Sequence, residues 1–266
     1  APLLDWQLLT ESRNEDPFQS GVKNAVIGTL WLMVLTAAIS IPLGIGAAVF
    51  LEEYAPKNWF TRFIEVNISN LAGVPSIIYG LLGLAVIVRP TSLMSTDALR
   101  IDTGALFGEV VIGLGLGKVV LAGALTLSLL ILPVVITAAR EALRAVPPSL
   151  REAGWALGGD KWGTIWRVVL PMALPGILTG VILALSRAIG ETAPIIVVGA
   201  SIFATQATQS VFDRYEALPV VIWANTTDAD AGWRTLAAAG IVVLLAMMLS
   251  MNLIAILIRN RYQRRT

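Results

Sequence analysis

Five stretches of this chain are apolar for long enough to cross a lipid bilayer, and nothing else in the sequence restricts its fold so strongly. They run over about 24–51, 66–88, 119–138, 172–199 and 235–258. A helix rising about 1.5 Å per residue needs about 20 residues to cover the roughly 30 Å of hydrocarbon. The composition agrees: hydrophobic residues make up 56% and charged ones 14%, against about 45–50% and about 25% in soluble domains. The expected fold class is therefore all-α, a polytopic helical membrane protein with residues 1–266 as one transmembrane domain. Pro42 with Gly44 and Gly46, Gly73 with Pro75, and Pro133 interrupt the stretches. Membrane helices tolerate such breaks where neighbours satisfy the freed carbonyls.

The chain has no cysteine and no histidine. Disulfides are excluded, and the commonest general base and metal ligand is missing. An intramembrane enzyme would have only carboxylates to work with, and the spans carry one.

Orientation follows from Lys and Arg. Loops 52–65, 139–167 and 259–266 hold eleven of them in 51 residues, while 1–23, 89–118 and 201–234 hold seven in 87. The positive-inside rule puts the first set, with the loop 139–171 and the C-terminus, in the cytoplasm, and loops 89–118 and 201–234 outside. Trp31, Trp59, Trp162, Trp166, Trp223 and Trp233 lie near span ends, as an interfacial belt would. With five spans residue 1 falls outside, so a sixth span is expected upstream of it. Residues 1–21 contain no apolar run long enough for a signal-peptide core. Glycines 104, 108, 113, 115 and 117 with Glu109 make 104–118 a poor membrane helix, and it reads as an outer-face loop or short interfacial element.

The longest cytoplasmic loop is patterned. Pro147 and Pro148 stop one helix. Ser149 and Glu152 have the spacing of an N-cap and a third helical residue reaching back to it. Gly158-Gly159 ends the short helix in a tight turn, and Pro171 and Pro175 fit the first turns of the returning span. Such a loop could be any amphipathic connection in a bundle. Its full pattern is narrower: Glu152-Ala153-Gly154, three residues, Gly158, nine residues, then Val168-Val169-Leu170-Pro171. This resembles the EAA loop of ABC-importer permeases, with Gly154 for alanine and Val168 for isoleucine. The resemblance implies a type I ABC importer permease fold, with Arg151, Glu152, Ala153, Gly154 and Gly158 coupling to a separate ATPase.

Arg187 and Glu191 are the clearly ionisable residues inside the predicted spans. Twelve residues separate Pro175 from Arg187, about 18 Å of helix, which predicts a position near mid-bilayer. A charge there costs at least about 2.5–3.5 kcal/mol and marks a functional candidate. Spacing of i, i+4 predicts that the two share a helix face. They could be a self-neutralising pair that fixes packing. Arginine, however, is planar, always charged and able to bind two oxygens of an oxyanion at once.

The segment Arg187-Ala188-Ile189-Gly190-Glu191-Thr192-Ala193-Pro194 resembles one in permease subunits of the phosphate-specific (Pst) ABC importer. Pro42-Leu43-Gly44-Ile45 leading to Glu53-Tyr54, Asn70 through Leu81, and Leu218-Pro219-Val220 resemble its PstA type. The resemblance covers about residue 22 to Arg261 and implies a subunit of the bacterial inner membrane. It implies a heterodimer with a PstC-type permease, two PstB-type ATPase subunits and a periplasmic phosphate-binding protein, with membrane lipid around it and no nucleic acid. No cofactor is expected in this chain, ATP and magnesium belonging to the ATPase. Arg187 would contact phosphate in the pore, and Glu191 and Thr192 are grouped with it as substrate-binding residues. Glu191 could accept a hydrogen bond from HPO4 2− while repelling SO4 2−, or it could orient Arg187; both remain open. Permeases for molybdate or sulfate share the architecture, and an ion-coupled secondary transporter would show inverted repeats, of which 187–194 has no second copy.

Gly113 through Val119 mimics a phosphate-binding loop. Ile112 stands where its first glycine should be and Val119 where its Ser or Thr should be, so no ATP site is expected here.

Overall fold

The computed structural model describes residues 6–14, 16–88, 100–102, 109–111, 116–201 and 207–263. After the short α1 (Gln7–Thr10), α2 (Lys23–Val49) runs through Pro42 and ends in a π-helical turn, Phe50–Tyr54. Next come α3 (Trp59–Ala72) and α4 (Ser76–Gly83), the latter extended by a π-helical turn, Leu84–Val88. Further along are α5 (Val120–Arg144), α6 (Pro148–Ala156), α7 (Lys161–Thr164) and a π-helical turn, Ile165–Val169. The chain continues with α8 (Leu170–Gly190), α9 (Ala193–Val198), α10 (Leu218–Thr226) and α11 (Ala231–Gln263). Within the expected outer loop, Arg100–Asp102 pairs antiparallel with Glu109–Val111. Most of 104–118, including the loop mimic at 113–115, lies outside the described residues.

Among the described residues four helices are long and apolar enough to cross a membrane: 23–54, 120–144, 161–190 and 231–261. A fifth crossing requires α3 and α4 to be counted together, and these are bent by 102°. The stretch 66–88 is thus not one straight span. Pro75 has no N–H to continue the α3 ladder, and its ring disfavours helical geometry at Val74. The Gly73 and Val74 N–H groups instead close tight turns onto Asn70 and Leu71.

The stretch 172–199 is corrected at both ends. Its helix begins at Lys161 and stops at Gly190, with α9 as a separate piece. The returning prolines therefore lie inside a helix already under way. In a regular helix the Pro171 ring would strike the carbonyl four residues earlier. The π-helical turn just before it, closed from Leu170 N–H to Ile165 O, supplies the wider spacing.

By contact the chain divides into two compact units. Unit 1 comprises 1–37, 75–130 and 188–247. Its core gathers Leu32, Val120, Leu127, Ile195, Tyr215 and Val220, with a second cluster around Leu8, Val22, Leu218 and Leu236. Polar backbone inside it is satisfied by specific partners. The Thr29 hydroxyl accepts the first N–H of α10, from Leu218, at 2.9 Å, and the N–H groups of Val120 and Leu121 at the start of α5 donate to the carbonyls of Asp213 and Val211.

Unit 2 comprises 38–74, 131–187 and 248–266. Here α5 and α8 approach closely: a Cβ on Gly176 would stand 2.8 Å from Ala142 Cβ, and one on Gly180 2.2 Å from Ala138 Cβ. Lipid tails are as apolar as leucine, so small residues that let backbones touch are what hold such helices together.

Candidate functional site

Two regions carry the residues singled out in the sequence, the α6–α7 hairpin and the break between α8 and α9. In the hairpin, α6 starts differently from the expectation. Its N-cap is Pro147 and its first residue Pro148, with no side-chain cap, so Ser149 sits inside the first turn. Proline at that first position has its fixed φ already helical, and its missing N–H would have had no partner. A capping box is therefore not formed.

The end of α6 is as expected. Gly158 has φ +80°, its N–H donates to Trp155 O, and the Gly159 N–H donates to Gly154 O at 3.1 Å. These are the paired bonds that close a helix through a left-handed residue. Asp160 then caps α7, its carboxylate accepting the Gly163 N–H. A Cβ on Gly154 would lie 2.6 Å from Thr164 Cγ2, so a larger residue there would require the Thr164 side chain to shift.

The hairpin presents Glu152, Ala153, Trp155, Ala156, Leu157, Gly158 and Trp162 outward, Leu157 at 91% exposure. An exposed apolar cluster with a polar rim marks an interaction surface. Arg151 is not part of it. Its side chain is 16% exposed and turns inward, donating from Nε at 3.1 Å and Nη2 at 2.8 Å to Glu53 Oε1. It also donates to the carbonyls of Val146 and Leu143 at the end of α5. A cation there suits the negative end of that helix.

Beside it, Glu52 Oε2 meets Arg144 Nε at 2.9 Å and Arg140 Nε at 3.6 Å, while Arg140 Nη2 donates to Glu65. Sequence reasoning used these arginines only to orient the chain. Glu53-Tyr54 was visible as a family feature, but no periodicity links position 53 to position 151.

At the second region α8 ends at Gly190. Glu191 donates its N–H to Ala188 O at 3.3 Å, and Thr192 takes the N-cap position of α9, with Pro194 in that helix's first turn. Arg187 and Glu191 are therefore not one turn apart on a continuous helix, as their spacing predicted. Pro194 and the glycine at 190 break it between them. Arg187 lies three residues before the helix end, its surface exposed, whereas Glu191 and Thr192 are half-buried. Beyond the break α9 packs on α4, the piece that follows the other break. A Cβ on Gly80 would stand 2.6 Å from Pro194 Cα and 3.1 Å from Val197 Cβ. Non-helical backbone at membrane depth is tolerated where it is buried in protein or lines a cavity.

Known proteins are similar to this chain in sequence and in fold. Residues 40–266 match the family model described as "Binding-protein-dependent transport system inner membrane component". The chain is 31% identical over 264 residues to the probable ABC transporter permease protein YqgI of Bacillus subtilis (strain 168), covering 95% of this chain and 82% of that one. It is 34% identical over 246 residues to the phosphate transport system permease protein PstA 1 of Mycobacterium tuberculosis (strain CDC 1551 / Oshkosh), covering 92% and 72%. Among solved structures, the inward-facing MetNI methionine ABC transporter superposes with a TM-score of 0.62 at 17% identity, over 90% of this chain and 96% of that chain. At that identity the likeness concerns the fold.

Proposed function

This chain belongs to the family of binding-protein-dependent transport system inner membrane components, and from that membership we infer that it is the PstA-type permease subunit of an ATP-driven phosphate importer. The observation that carries the phosphate reading is the 34% identity to a phosphate permease over 92% of the chain. The Arg187–Pro194 segment, expected to line the path of an oxyanion, falls at a helix break.

In this reading the chain forms half of a pore in the bacterial inner membrane, with a PstC-type permease as the other half. The α6–α7 hairpin and the C-terminus face the cytoplasm, on the side richer in Lys and Arg. Two PstB-type ATPase subunits bind ATP and magnesium, and one of them docks on the hairpin's apolar face through Glu152, Ala153, Gly154 and the turn at Gly158. Arg151 shapes that surface from behind. A periplasmic binding protein delivers phosphate to the opposite side. Arg187 contacts phosphate through its fixed charge and forked donors, with Glu191 and Thr192 beside it in sequence.

The experiment is reconstitution. The complex purified through this subunit should contain an ATPase, and in proteoliposomes it should take up labelled phosphate on ATP addition, with little competition from sulfate. Uptake that sulfate or molybdate displaces as well as phosphate does would sink the phosphate assignment. Absence of an ATPase would sink the whole reading.

A further inference from the structure

Glu52, Glu53 and Tyr54 are consecutive in the π-helical turn that ends α2, yet each holds a different segment of unit 2. Glu52 engages Arg144 and Arg140 of α5. Glu53 receives two nitrogens of Arg151, in the first turns of α6. Tyr54 lies under Lys161, the first residue of α7, whose Nζ is 4.9 Å from the ring centroid. The end of α2 therefore grips both arms of the hairpin, although residues 53 and 151 are 98 positions apart.

We propose that Glu53 and Tyr54 form the joint through which a displacement of the α6–α7 hairpin is passed to α2. This rests on the reading that the hairpin is where the ATPase docks. The hairpin is covalently continuous with α5 on one side and α8 on the other, so contact is its route to α2. The contacts are built to transmit. Arg151 and Glu53 are 16% and 10% exposed, so salt screens their attraction far less than that of a surface pair. Arg151 is also bonded to Leu143 and Val146, and cannot swing away from α5 while it holds Glu53. The Lys161–Tyr54 contact ties the second arm to the neighbouring residue. A helix end held at two adjacent positions by the two arms of a lever follows the lever's rotation. Held at one position, it could pivot. Glu53 and Tyr54 act here as positioning residues.

The test uses the whole complex in proteoliposomes, measuring ATP hydrolysis, labelled phosphate uptake and the amount of ATPase retained. Glu53→Gln should keep the ATPase bound and hydrolysing, while phosphate moved per ATP falls about tenfold, within the usual range of coupling energies; Arg151→Gln should lower the same ratio. Arg151→Lys, which keeps the charge and some donors, should restore most of the ratio. Tyr54→Phe, which keeps the ring, should match the parent protein, and Tyr54→Leu should resemble Glu53→Gln. An unchanged ratio in Glu53→Gln overturns the joint. So does a parallel fall of hydrolysis, uptake and bound ATPase, which would make the contacts a static brace. A parent complex with no ATPase overturns the underlying reading and the joint with it, and is told apart by that absence.

Discussion

Gly80 of α4 and Pro194 of α9 pack backbone against backbone, with room for a Cβ only at 2.6 Å from Pro194 Cα. Each lies just beyond a break in an apolar stretch, at Gly73–Pro75 and at Glu191–Thr192. The proline that helps to break one stretch is thus the surface against which the other is laid. Breaks in spans need partners for the freed backbone, and here the two broken pieces are mutual neighbours.

Gly80→Ala should destabilise the protein by about 1–3 kcal/mol, the usual cost of overpacking. Gly46, which has open space around it, provides the control: Gly46→Ala should be neutral or slightly stabilising, as alanine favours helix. Thermal unfolding of the detergent-purified protein measures both, and equal behaviour of the two variants would contradict the contact.

Thr29→Val should cost about 1 kcal/mol, because it leaves the Leu218 N–H buried without its acceptor. Thr29→Ser keeps the hydroxyl and should recover most of the loss. The same unfolding measurement decides, and a valine variant as stable as the parent would remove the cap from the account of α10.

Leu157→Ser should leave the stability of the isolated chain unchanged, since the side chain is 91% exposed. It should nevertheless weaken retention of the ATPase. Gly158→Val should weaken retention and also destabilise the chain, because a β-branched residue at φ +80° is strained by at least about 1–2 kcal/mol. Co-purification of the ATPase is the readout, and full retention in both variants would place the docking surface elsewhere.

Arg187→Gln should abolish phosphate uptake without loss of assembly, since Arg187 is exposed on the chain. Glu191→Gln should be milder if the carboxylate orients the arginine, and should admit sulfate if it excludes a fully ionised anion. Uptake of labelled phosphate with sulfate competition separates these. Parent-level uptake by Arg187→Gln would reduce the pair to a packing device.

The sequence showed the apolar stretches and the hairpin's position because both depend on local patterns. Apolar runs and the glycine pair at 158–159 act through their own backbone. The breaks at 75 and 191 were harder to foresee. A proline in an apolar run permits either a gentle kink or a sharp bend, and the neighbour that decides is remote in sequence, as Gly80 is for Pro194. The Ser149 capping box failed for a local reason, since Pro148 already occupies the first helical position. The inward turn of Arg151 was invisible because its partners, Glu53 and the end of α5, meet it only in the folded chain.

Leu157 bears on how such a subunit is made. A newly inserted chain that has not met its partner displays this side chain to water beside Trp155 and Trp162, and its burial is worth about 1.5–3 kcal/mol. An unassembled copy therefore carries a visible sign of being alone, of the sort that aggregation and proteolytic surveillance both respond to. On the docking proposed for the hairpin, covering it would complete the subunit's surface, and balanced synthesis of the partners would then protect this chain as directly as any contact within it.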